Sequence, residues 1–122
     1  MRLRYLEFDY SEDANGTGTF DALAATAPAH NAAVLAEVAV VLAWAHDAFD
    51  AQRAPLDEGG EWDYDLQGWR EFSAVDILHF DDSTSELSIQ PQAAGAARHT
   101  VSLSVTGTPS FCAAFRERFQ AA

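Results

Sequence analysis

Asp63 and Asp65 stand two residues apart in the alternating run Trp62-Asp63-Tyr64-Asp65-Leu66. In a strand both carboxylates project from one side at a spacing of about 7 Å. Carboxylates so placed can share a divalent cation or divide the work of general acid and general base. Glu61 extends the row, and His79, in a second run from Val75 to Phe80, offers a group that carries a proton near neutral pH. With Ser88, Ser102 and Ser104 from neighbouring runs, Asp63, Asp65 and His79 form the polar site of a small enzyme or of a ligand- or metal-binding protein. The competing reading is plainer: the solvent side of any strand is polar, and paired carboxylates arise there without purpose.

Metal-ligating patterns are fragmentary. Ser11, Asp13, Asn15 and Thr19 occupy ligand positions of a calcium loop, and Gly16 sits where such a loop turns sharply. The twelfth position is Ala22, where a bidentate Glu is needed, so an Asn15-Gly16 hairpin turn accounts for the segment equally well. His46 and Asp50 lie one helical turn apart and make two ligands at most, while His79 and His99 belong to different strands. No metal, and no cofactor of any kind, is expected. Cys112 follows a helix start, where the macrodipole favours a thiolate, but with Phe111 and Phe115 nearby and no local base it reads as a core residue. Gly-x-Ser-x-Gly, Walker and dinucleotide fingerprints are missing from the sequence.

Charge speaks about partners more than chemistry. Nineteen acidic residues oppose seven arginines, there is no lysine, and the net charge is −12. Such a surface repels phosphate backbones and anionic lipid head groups, which argues against nucleic acid and membrane as ligands. A lone cysteine and an N-terminal stretch without a long apolar segment point to the cytoplasm. The longest apolar stretch, Ala32 to Ala45, is interrupted by Glu37 and is too short to span a bilayer.

The elements that must position these residues follow from periodicity. Leu3 to Tyr10 alternates, with Leu6, Phe8 and Tyr10 on one side, and predicts a strand. An Asn15-Gly16 hairpin then sets Phe8 opposite Leu23 and Leu6 opposite Ala25; a short helix over Phe20 to Ala25 is the alternative. Leu35, Val38, Leu42, Ala45 and Phe49 recur at 3.6-residue spacing, widened by Val34, Val41 and Trp44, so a helix runs from Pro28 to Gln52 with Glu37 on its outer side. Glu61 to Gln67, Val75 to Phe80, Glu86 to Gln90 and His99 to Thr106 read as a meander. Its middle turn places Phe80 opposite Leu87, Leu78 opposite Ile89 and His79 beside Ser88. Thr108-Pro109 opens a closing helix with Phe111, Phe115 and Phe119 on one side.

The expected architecture is a single α+β domain over residues 1–122, in the order ββαβββα, with an antiparallel sheet of about five strands packed on one long and one C-terminal helix. The leading functional expectation is a non-enzymatic interaction module that meets a protein partner, or its own copy, through an open sheet face or edge. The enzyme or ligand-binding reading on Asp63, Asp65 and His79 is the alternative. An acidic inhibitor that mimics nucleic-acid charge is the second.

Overall fold

A computed structural model describes residues 1–119. Its element order is β1 (Asp9–Glu12), β2 (Gly18–Thr26), α1 (Pro28–Ala48), a 3-10 turn (Leu56–Glu58), β3 (Trp62–Glu71), β4 (Asp76–Asp81), β5 (Glu86–Pro91), β6 (Arg98–Gly107) and α2 (Pro109–Phe119). The α+β class and the succession of strands and helices are as anticipated, but there are six strands rather than about five, and they form two sheets. Four antiparallel strands run β1-β2-β6-β3, and β4 pairs only with β5.

Both helices cover one face of the four-stranded sheet. Phe20, Ala22 and Ala24 of β2 and Val101, Leu103 and Val105 of β6 point into that layer, with Trp62 from β3. Against them α1 sets Val34, Val38, Val41 and Ala45, and α2 sets Phe111, Cys112, Phe115 and Phe119. Phe115 stacks on Phe20 with ring centroids 4.1 Å apart, and Phe111 lies parallel to Trp62 at 5.6 Å. Burying aromatic rings of this size dominates the energetics of a small core. Thr108 begins α2 as the proline pattern foretells, its hydroxyl donating to Glu61 at 2.6 Å.

Three local expectations are corrected. Residues 3–8 are not a strand; their backbone N–H groups go elsewhere. The Glu37 carboxylate of α1 accepts from the N–H groups of Arg4 at 2.8 Å, Tyr5 at 2.9 Å and Leu6 at 3.0 Å. A side chain thus satisfies donors that a ladder would otherwise hold, while Leu6 and Phe8 are buried as their alternation implied. Glu37 is accordingly no idle outer-face residue.

The first hairpin forms with β2 as its second strand, and no helix replaces it, but its register differs by one from expectation: Tyr10 faces Phe20 and Asp9 faces Asp21. The connecting loop explains the shift. Asp13 Oδ1 accepts from the N–H groups of Asn15 and Thr17, and Gly16 takes φ 82°. The resulting odd-numbered loop, residues 13–17, moves the pairing by one place relative to a two-residue Asn-Gly turn.

Helix α1 ends at Ala48 rather than Gln52, and the chain turns at Ala51 with φ 58°. Its buried stripe is centred on Val34, Val38, Val41 and Ala45; Leu42 is half-buried and Leu35 is 48% exposed.

The larger correction concerns the meander. The register of β4 on β5 is as expected, with Phe80 opposite Leu87, Leu78 opposite Ile89 and His79 opposite Ser88. Yet every residue of both strands is exposed. β3 and β6 pair up to Glu71 and Arg98, and β4 and β5 resume from Asp76 and Pro91, so these four strands are one long hairpin with an interruption. Five positions separate Glu71 from Asp76, but seven separate Pro91 from Arg98. The second side therefore carries a two-residue excess, a bulge-like irregularity of the kind that bends a ribbon. The Gly95 N–H donates to the Ser73 carbonyl and the Gln92 N–H to the Val75 carbonyl, tying the two sides together across the interruption.

Within the arm, Leu78 and Phe80 of β4 share one side with Leu87 and Ile89 of β5. Among the described residues no element covers them. β2 ends opposite His99, beside the base of this arm, and α1 starts two residues later at Pro28 and runs back over the four-stranded sheet, away from the arm.

Candidate functional site

The outer face of the four-stranded sheet, opposite the helices, carries Asp63, Asp65 and Gln67 of β3 beside Thr106, Ser104 and Ser102 of β6. Asp65 pairs directly with Ser104, as a shared polar face requires. Asp21 lies on the other flank of Ser104. Between β3 and β6, Leu56, Asp63, Tyr64, Asp65, Ser104 and Thr106 line a depression of about 250 Å³.

The two aspartates are not equivalent. Asp63 Oδ1 receives the Nε–H of Arg53 at 2.9 Å, and the Arg53 guanidinium lies 4.2 Å from the centroid of the Tyr64 ring. Asp65 receives only the Gln67 amide, at 3.0 Å. A carboxylate already engaged by a guanidinium makes a poor cation ligand, and half-exposed pairs of this kind contribute little to stability.

His79 does not join them. It is on β4 with Ser88 opposite, in the two-stranded arm, whereas Asp63 and Asp65 belong to the other sheet. The composite surface expected from a continuous meander is therefore divided: Asp63, Asp65, Ser102 and Ser104 on the sheet, His79 and Ser88 on the arm. His79 and His99 are separated in the same way, since His99 pairs with Arg70 in the larger sheet.

The remaining candidates are occupied by structural contacts. Asp13 is turned inward on its own loop and holds it closed. His46 is in the last turn of α1 with its ring edge-on to Trp62 at 4.9 Å. Asp50 lies past the end of that helix, so the one-turn spacing assumed for the pair does not exist. Among the described residues no three His, Cys, Asp or Glu side chains converge to hold a metal ion. Cys112 is buried, its thiol donates to the Gly107 carbonyl at 3.4 Å, and burial pushes its pKa upward. It is a neutral core thiol rather than a nucleophile.

What sequence reasoning missed is surface rather than chemistry. On the arm, Phe80 is 56% exposed, Leu87 63% and Ile89 60%. Its tip is tied by local bonds: Asp81 Oδ1 accepts from the Ser83 hydroxyl at 2.6 Å and from its N–H, and these bonds hold the Asp81 carboxyl below its ordinary pKa. A second feature is the outward side of α1, where Ala32, Leu35, Ala36, Ala39, Val40 and Ala43 are all exposed. The helix is apolar nearly all round, with a mean hydropathy of 1.4 over its most apolar stretch and only 22% of that stretch buried. The signal available was the weak amphipathicity of residues 28–48, because a helix that is apolar on every side has a face left over after the core is built. Comparison with protein-family models, curated proteins and solved structures finds no match.

Proposed function

We propose that this protein is a non-enzymatic interaction module whose contact element is the β4–β5 arm, and that its partner is a protein rather than nucleic acid or a membrane. The observation that carries this reading is the arm itself. A two-stranded ribbon is marginal alone in water, and this one has an apolar side and, among the described residues, two free edges and no covering layer. Large exposed apolar patches of this kind mark contact surfaces. The acidic charge and the lack of lysine support a partner that is not polyanionic, and the lone buried cysteine fits a reducing cytoplasm.

The test compares the full chain with Leu78→Ser/Leu87→Ser by cross-linking in the native cytoplasm and by sedimentation of the purified protein. Association that depends on the arm supports the module. Association that ignores the arm, or calorimetric binding of a divalent cation or metabolite that is abolished by Asp63→Asn/Asp65→Asn, overturns it in favour of a ligand site on the sheet face.

A further inference from the structure

We propose that the occupant of the arm is a second copy of this chain, in a two-fold dimer where each arm lays its apolar side on the outward face of the partner's α1; this rests on the reading of the arm as a contact element. Two unpartnered surfaces are present, and they complement each other. The arm presents large side chains, Leu78, Phe80, Leu87 and Ile89, in two paired rows. The exposed side of α1 is a strip of small residues, chiefly Ala32, Ala36, Ala39 and Ala43, flanked by Leu35 and Val40. Large side chains seat on a small-residue strip because the backbones can then approach closely.

Chain geometry makes the exchange reciprocal. Arm and helix start at the same end of the domain: Asn31 and Leu35 of α1 border a hollow with Gly68, Trp69, Arg70 and His99 at the arm's base. From there the arm runs outward and the helix runs back. When two copies meet base to base about a two-fold axis parallel to the sheet and level with the helical layer, each arm extends along the outward face of the other's helix. In that arrangement the apolar side of the arm faces the partner's helical layer. Lengths are compatible, since α1 has 21 residues and spans about 31 Å, and the six residues of β4 reach about 20 Å and so fit within it.

Electrostatics allow the contact despite the charge of each copy. Between Pro28 and Ala45 the one Asp, Glu, Lys or Arg is Glu37, whose carboxylate is committed to the N–H groups of residues 4–6, and His30 is paired with the Tyr5 hydroxyl. The apolar side of the arm has no charge between Asp76 and its tip. Two strips about 10 Å wide, each counted with the surface it covers, bury on the order of 1,000 Å² in all, at the lower edge of stable interfaces. A dimer with micromolar affinity is the expectation. Added salt tightens it, because the charges that repel lie outside the contact and are screened. A bilayer is the weaker occupant: α1 carries no Lys or Arg to meet head groups.

Sedimentation equilibrium of the full chain and two variants tests this. Leu78→Ser/Leu87→Ser removes the arm's apolar side, and Ala36→Glu/Ala39→Glu blocks the helix strip at exposed, helix-tolerant positions; far-ultraviolet circular dichroism verifies that both fold. Each alone should weaken dimerisation at least 100-fold. Mixed together they should associate more tightly than either variant alone and less tightly than the wild type, since the mixed pair restores one of the two arm-to-helix contacts. A monomeric wild type up to about 1 mM, a dimer indifferent to the α1 substitutions, or co-flotation of monomers with phosphatidylcholine vesicles through α1 would each overturn the proposal. If the wild type is monomeric while the arm still captures a different protein, the dimer falls and the interaction module stands; if the arm captures nothing, both fall.

Discussion

Glu37→Ala is the perturbation that most directly tests how the N-terminal segment is held. The carboxylate receives three backbone donors, the bond from Arg4 exposed and those from Tyr5 and Leu6 partly buried. Hydrogen bonds to a charged group contribute about 1.5–3 kcal/mol each. Water replaces the carboxylate readily at Arg4, so two donors carry most of the loss, about 3–5 kcal/mol. If residues 3–8 instead peel away, Leu6 and Phe8 lose their burial at about 1.5–3 kcal/mol apiece, which reaches the same range. Against a typical total of about 5–15 kcal/mol the domain should survive, with Tm lowered by roughly 10–20 °C. An ordinary exposed Glu→Ala change on a helix is neutral or slightly stabilising, because alanine is the better helix former. Urea unfolding therefore separates the two accounts cleanly. Glu37→Gln, which keeps one acceptor oxygen, should lose about half as much, and amide exchange at residues 4–6 should accelerate in both variants. A Glu37→Ala protein within about 0.5 kcal/mol of wild type, or one whose amides at 4–6 stay protected, would refute the reasoning.

Val41→Asp places an unpaired carboxylate at a fully buried position and should unfold the domain, whereas the same change at half-buried Leu42 should cost less; thermal melts followed by circular dichroism give the order. Phe115→Ala should cost about 3–5 kcal/mol in urea unfolding, since the ring packs on Phe8, Phe20 and Trp44. Burial raises the Cys112 pKa, and a hydrogen bond to Glu12 raises that of Tyr10 from 10.0 to about 12. Both groups are neutral when protonated, so the stability they contribute is complete below their unfolded values and is lost as pH climbs through the folded ones. Unfolding midpoints should hold steady up to about pH 8.5 and then fall as these groups ionise, and native Cys112 should resist thiol reagents until the domain opens. Asp63→Asn/Asp65→Asn should change stability by no more than about 1 kcal/mol, the loss of the Arg53 pair set against relief of repulsion, and calorimetry should register no divalent-cation binding before or after.

Local rules carried well wherever pairing is local. Phe80 finds Leu87 and Leu78 finds Ile89 because a short turn and two apolar pairs leave one register. Thr108-Pro109 and the phenylalanine spacing of α2 are likewise written in neighbouring residues. Failures came where a distant group decides. Leu3 to Phe8 has a strand's alternation, but Glu37, far along the chain, takes its N–H groups. The α1 stripe was misplaced because so much of that helix is apolar that large leucines offered no better guide than the valines the sheet receives. His79 was grouped with Asp63 because nothing near either residue reveals that two extra positions between Pro91 and Arg98 divide one hairpin into sheet and arm.

The continuity of that hairpin bears on the order in which the chain assembles. Trp62 and Gly107 face each other across β3 and β6 although 45 positions separate them, a separation that by itself implies a slow search for closure. Here, however, every pair between them is nested inside another pair, down to the turn after Asp81. A hairpin closes in about 1–10 μs, and each added rung then encloses only a few new free residues. The tip can thus act as the start of a zipper that delivers β6, an inner strand, to β3 before β2 arrives. An element that contributes no burial to the finished domain would still shorten the path to it.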